Sequence, residues 1–285
     1  MNLFSLLGQL GLSHEMNGQL LFPVGTVYDP FVCRGLDALI FGLYSGSRFI
    51  FAGTPSGVSL SPEGGAHQSS VTASLGMELP GLDYYEPCFA REVEWAFLES
   101  LRQCCNRTTG RSTYLRLSTK PIDQSLLEPA RVRLGDDELR RQCLRGGCVL
   151  KEPGQEPSVH LVSCGAMIPE VLAAADFLER EGVGANVIHL CSPRRVYDDW
   201  RTRRGDWLLD ALIAPAQRAS PIVTVIDGAP GALAWIGGVF GQPLTALGVA
   251  SFGQSGSRSD LYRAMKIDTD SILEAAFDAV DRAFD

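Results

Sequence analysis

Leu3, Leu6, Leu7 and Leu10 recur at steps of three and four, which predicts a helix from the first residues onward. No Ser, Thr or Asp leads into it as a cap, so the expectation is that the true beginning of the domain lies upstream. A short apolar run, LLFPVGTVYDP, then predicts a strand that turns at Asp29-Pro30. Residues 31–44 have the pattern of a helix and 48–52 that of a buried strand. A long stretch rich in Gly, Ser and Pro (54–68) reads as a loop, followed by a helix over 92–102 and a strand over 112–117.

The later half is more regular. VHLVSCG is a strand-type run, and Pro169 opens a helix that Gly182 stops. ANVIHL, PIVTVIDG and LTALGVA are further strands, with a polar insertion over 194–206 and a helix in PGALAWIGGVFG between them. A last helix follows Thr269 with Ile272, Leu273, Ala276, Phe277 and Val280 on one face. Strands alternating with helices imply parallel sheets covered on both sides, hence an α/β fold. Between 126 and 157 charges, Gly and Pro dominate, and this stretch is expected to link a domain at 1–125 to one at 158–285.

The chain has 285 residues, 45% hydrophobic, with a formal net charge of -8. That balance argues against nucleic acid or an anionic membrane as the main partner. No apolar run is long enough to span a bilayer and no secretory pattern opens the sequence, so the expected location is the cytoplasm. Eight cysteines are present, none in a CxxC pair, and they read as reduced thiols. No cluster of Cys and His stands at ligand spacing, so no metal site is expected.

One loop stands out chemically, SPEGGAHQS at 61–69. Two adjacent glycines let its backbone approach a ligand, and a loop after a strand of a parallel sheet lies where such folds bind ligands. From spacing alone His67 reads first as a surface histidine and second as a donor to a substrate oxygen. Tyr28 and Phe31, likewise, are either ordinary core rings or a wall for a flat heterocycle. The stretch FGQSGSR (252–258) contains an S-x-x-D capping pair, Ser257 and Asp260. DGAPG (227–231) reads as a strand-to-helix turn, because the Lys of a phosphate loop is missing.

Taken in order, these segments resemble the transketolase superfamily. EGGAHQS is similar to the loop that there carries an acidic residue, Gly and THQ. PVGTVYDPFVCRGLDAL resembles the aromatic wall around a thiamine pyrimidine. YLRLSTKPIDQ (114–124), and an FG-x-S-x-x-R-x-x-L pattern containing Arg258, resemble the homodimeric type of pyruvate dehydrogenase decarboxylating component. The resemblance implies a pyrimidine-binding domain, incomplete here, followed by a transketolase C-terminal domain. It implies Tyr28 and Phe31 on the pyrimidine ring, His67 as the catalytic group at the substrate or intermediate oxygen, and Glu63 and Gln68 shaping the pocket.

No GDG run of a diphosphate module is present; GDD at 135 and GDW at 205 lack its context. The glutamate that activates the cofactor would precede Met1. The resemblance therefore implies thiamine diphosphate held here only at its pyrimidine end, with diphosphate and magnesium on a missing domain or partner chain. The expected activity is decarboxylation of a 2-oxo acid with acyl transfer to a lipoyl acyltransferase, in a homo-oligomer or with that second chain. Alternatives are a transketolase-like aldehyde transferase fragment and a non-catalytic assembly or dimerisation module.

Overall fold

A computed structural model describes residues 1–202 and 207–284. The polar stretch expected over 194–206 runs out of the described residues after Thr202, and with it most of the GDW run. Four strands, Val24–Val27 (β1), Ile50–Gly53 (β2), Leu82–Tyr85 (β3) and Ser112–Arg116 (β4), form a parallel sheet in the order β1-β2-β4-β3. Five more, Cys148–Lys151 (β5), Val159–Ser163 (β6), Ala185–His189 (β7), Ile222–Val225 (β8) and Leu244–Leu247 (β9), form a second sheet in the order β5-β7-β6-β8-β9. Its pairs are parallel except β5, which runs antiparallel to β7. The expected α/β architecture is present, with the correction that the second sheet carries an antiparallel edge.

The central strands β6, β7 and β8 are buried at every position, which is why each is dominated by apolar residues rather than alternating, with His160, Asn186, His189 and Thr224 buried among them. Pro169 lies in the first turn of the helix Ile168–Arg180, and Gly182, at φ 80°, ends the turn that stops it. The opening helix, Asn2–Gly11, is rotated from the face expected. Phe4, Leu7, Gly8 and Gly11 are buried, whereas Leu6 and Leu10 are exposed. Gly8 sets that face by letting the helix pack against Gly42 of the neighbouring helix Leu36–Tyr44.

The span 126–157 is not a bare linker. It holds the helices Glu128–Leu134 and Asp136–Arg145 and strand β5. Asp136–Arg145 buries only Leu139 and Cys143 beneath a charged outer face, so its composition resembles a loop while its structure is helical. Two elements went unexpected in the first sheet, the helix Thr72–Glu78 and β3. β3 carries a buried aspartate, Asp83, and so lacks a clean apolar signature.

The carboxyl ends of the two sheets face each other. Arg116, at the end of β4, donates to the backbone oxygen of Asp227 beyond β8 at 2.7 Å. The Asp227 carboxylate in turn accepts from the backbone amides of Val58 and Ser59, at 2.7 and 3.0 Å. Glu86, just past β3, donates its amide to Cys191 and accepts from Gly165, both in the second half. Among the described residues no helix is long and apolar enough to cross a membrane.

Candidate functional site

β1 ends at Val27 and delivers Tyr28 to the carboxyl edge of the first sheet; the short helix Asp29–Gly35 then presents Phe31. The loop leaving β2 returns to the same corner with Glu63 and His67. Ring centroids of Tyr28 and Phe31 are 5.5 Å apart, those of Tyr28 and His67 5.6 Å, nearly edge-on, and those of Phe31 and His67 6.1 Å. All three rings are half-buried. The Tyr28 hydroxyl donates to Glu63. Burial and that carboxylate push the phenol up to about 12, so Tyr28 stays a neutral donor across the ordinary pH range. The Arg34 guanidinium lies 4.1 Å over the Phe31 ring.

The loop is fixed by the second half of the molecule. Ser61 donates to the Gly256 oxygen at 2.8 Å, and the Gln68 amide nitrogen to the Gln254 oxygen at 3.0 Å. Two glycines permit the approach: a Cβ on Gly65 would fall 2.3 Å from the Gly253 oxygen, and one on Gly253 would fall 1.6 Å from Gln68 Oε1. Beside this contact opens a cavity of about 560 Å³, bordered by Pro30, Cys33, Gly65, Gln68, Thr72 and Phe252. Gln68 Oε1 is buried and without a protein partner. The Phe252 side chain is 95% exposed at the rim.

Under the corner lies a polar floor that sequence reasoning missed. Asp29 accepts from the hydroxyls of Tyr114 and Ser69, and from Thr72 at 2.6 Å. Arg116, fully buried, pairs with Asp29 at 3.4 Å and with Glu86 at 2.6 Å. Burial opposes the charge on Arg116, yet Glu86 and Asp29 hold its guanidinium well above its usual range. Burial raises the Glu86 carboxyl, an effect that Arg116 opposes. The only signal in the sequence was an arginine inside the apolar run YLRL, where a strand residue is otherwise expected to be hydrophobic.

Four of the five expected site residues therefore meet in one corner, and Gln68 borders the adjoining cavity. Ser257 caps the helix Arg258–Ala264 through the Asp260 amide at 3.2 Å, as its spacing predicts. Arg258 is the first residue of that helix, and DGAPG is a strand-to-helix turn, leading to the short helix Gly231–Ala234.

Comparison with known proteins points the same way in outline. Residues 146–268 match the family described as the transketolase-like TK C-terminal domain. The chain is 28% identical over 243 residues to the 6-deoxy-6-sulfo-D-fructose transketolase subunit SqwH of Clostridium sp. (strain MSTE9), covering 84% of this chain and 67% of that one. It is 26% identical over 272 residues to the chromosomal transketolase of Cupriavidus necator (strain ATCC 17699), covering 94% of this chain but 37% of the relative. Among solved structures, a split-gene transketolase described as an inactive β4 tetramer aligns with a TM-score of 0.69 at 18% identity, over 98% of this chain and 81% of that one. The chain thus spans two thirds of the first relative and little over a third of the second. The expected pyruvate dehydrogenase and its lipoyl partner are not supported: these relatives are transketolases, so Arg258 and the run 114–124 did not discriminate as expected. Residues 146–268 thus match the transketolase-like C-terminal domain family, and over most of its length the chain is similar to proteins of transketolase type.

Proposed function

We propose that this chain is the pyrimidine-side subunit of a thiamine-diphosphate-dependent transferase of transketolase type, active only with a second chain that carries the diphosphate and magnesium module. The observation that supports it most directly is the corner where Tyr28, Phe31, His67 and Glu63 meet beside an open cavity. Two half-buried rings offer an aromatic surface of the kind a flat pyrimidine stacks on. The unpartnered Gln68 Oε1 offers an acceptor at the cavity. When bound, the cofactor supplies the electron sink for breaking a carbon–carbon bond beside a ketone.

The chain's own residues then bind, orient and exchange protons. Phe31 and the Tyr28 ring hold the heterocycle. The Tyr28–Glu63 hydrogen bond fixes the ring on one side of His67. His67 holds the substrate oxygen as charge develops on it and exchanges its proton there. The substrates are a ketose donor and an aldehyde acceptor, and a two-carbon unit is transferred between them. In favour of a second chain stand the subunit nature of the SqwH relative and the likeness to a split-gene transketolase. Copies of this chain assemble alongside that partner.

The test is reconstitution. The purified chain is mixed with a chain carrying a GDG-type diphosphate module and assayed with a ketose phosphate donor, and separately with pyruvate. Ketol transfer by the mixture, and by neither chain alone, is the expected result. Decarboxylation of pyruvate without ketol transfer would overturn the substrate class. Tight, magnesium-dependent binding of thiamine diphosphate by this chain alone, measured by calorimetry, would overturn the need for a partner.

A further inference from the structure

Four ligand-type side chains that the sequence scatters over 99 positions meet inside the molecule, away from the corner described above. Glu92 comes from the helix Ala90–Cys105, Cys143 from Asp136–Arg145, Cys148 from the first position of β5, and Cys191 from just past β7. All four are buried. The two carboxylate oxygens of Glu92 have different surroundings. Oε2 accepts from the amides of Cys88 and Phe89, at 2.9 and 3.1 Å, and contacts His189 Nε2 at 3.0 Å. Oε1 faces sulfur instead, with Cys191 Sγ at 3.3 Å and Cys143 Sγ at 3.7 Å. These two thiols and the carboxylate lie within 4.8 Å of one another, and the Cys148 thiol, buried beside the two cysteines, stands outside that group.

Thiols are weak donors, so a buried carboxylate oxygen aimed only at sulfur is poorly satisfied by protons. A divalent cation satisfies it well. With zinc–sulfur and zinc–oxygen bonds of about 2.3 and 2.0 Å, a tetrahedron has an S···O edge of about 3.5 Å. The two S···O separations here, 3.3 and 3.7 Å, lie on either side of that edge. We propose that Cys143, Cys191 and Oε1 of Glu92 are three ligands of a structural zinc site, whose fourth ligand is the neighbouring Cys148 thiol once it turns toward the metal.

The donor set suits the assignment. Three thiolates select a soft or borderline ion over magnesium or calcium, and four protein ligands leave no open position for chemistry. The second shell is in place, because His189 and two backbone amides orient Glu92 through its other oxygen. With every ligand buried, the metal enters as the chain folds and then pins the helix Ala90–Cys105, which covers the first sheet, to the edge of the second. Spacing along the sequence offers only the C-x4-C pair Cys143 and Cys148; Glu92 and Cys191 lie too far from it in sequence to be read as one motif. It is independent of the proposed cofactor reading and stands or falls separately.

The test begins with metal content. Full-length chain, expressed with zinc and purified without chelator, is expected to carry about one zinc per chain by plasma mass spectrometry. All eight of its cysteines should titrate as thiols after denaturation in chelator. Cys143→Ser and Cys191→Ser should each lose the metal at least tenfold, while Cys88→Ser retains it. Should those variants fail to fold, denatured wild-type chain refolded with Co²⁺ should show a thiolate-to-cobalt charge-transfer band. Eight thiols with no metal and no cobalt band would refute the site, leaving the cysteines as small apolar core residues. Six thiols with no metal would refute it too, in favour of a disulfide.

Discussion

Two polar clusters share the carboxyl edge of the first sheet, and they are built on opposite terms. In the Arg116 cluster nearly every donor has its acceptor: Asp29 takes three hydroxyls and the guanidinium, Glu86 takes the guanidinium and Tyr84, and Asp227 takes two amides. It is fully buried and joins the two halves of the chain. In the Tyr28–His67 corner, a few residues away, the rings are half-buried, Phe252 stands out in solvent, and Gln68 keeps a buried oxygen with no partner. A closed network fixes geometry and leaves nothing for a ligand to satisfy. An open one on a rigid floor is what a binding site requires.

If that division is right, the two clusters fail differently. Arg116→Met leaves Asp29 and Glu86 buried without their cation, and should cost about 3–5 kcal/mol of stability, read as a lowered urea midpoint. A variant as stable as the parent would break the comparison from the structural side. His67→Ala should leave the midpoint within about 0.5 kcal/mol, yet lower transfer by the reconstituted pair about a hundredfold. If stability fell and activity did not, His67 would belong with the floor and not with the site. Tyr28→Phe keeps the ring and removes only its bond to Glu63. Loss of tenfold or less in kcat/KM is expected, sharpening the view that the ring surface outweighs the hydroxyl.

The legible parts of the sequence were those where one physical effect dominates. β6, β7 and β8 announced themselves because burial on both faces favours Val, Ile and Leu, even with a few buried polar residues such as Asn186 among them. The loop at 63–68 was visible through its paired glycines, whose need is now explained by the Gly253 backbone pressed against Gly65. What stayed hidden required partners distant in sequence. Asp29 looked like a turn residue, and nothing local says that Arg116, 87 positions on, will neutralise it in the core. Asp136–Arg145 looked like a linker because its buried face is two residues wide. The choice between dehydrogenase and transferase was misjudged from Arg258, which stands half-buried as the first residue of a capped helix.

A third polar cluster, intermediate between the two, yields the smallest effect and a pH signature. Arg195, from the second half, reaches Asp83 at 2.5 Å and Glu99 at 3.2 Å in the first. Burial would raise the Glu99 carboxyl, but hydrogen bonds from Arg102 and Gln103 and the charge of Arg195 outweigh it and hold the group at about 2. A carboxyl depressed in the folded state contributes its full stabilisation above its unfolded value, about 4.3, and loses it as pH falls toward the folded one. Thermal midpoints of the parent should therefore decline between about pH 4.5 and pH 2 more steeply than those of Glu99→Gln, which cannot titrate there. The curves should run parallel above pH 5. A Glu99→Gln profile that declines as steeply as the parent's in the acid range would remove Glu99 from the contacts that join the halves, leaving Asp83 and the Arg116 cluster to hold them.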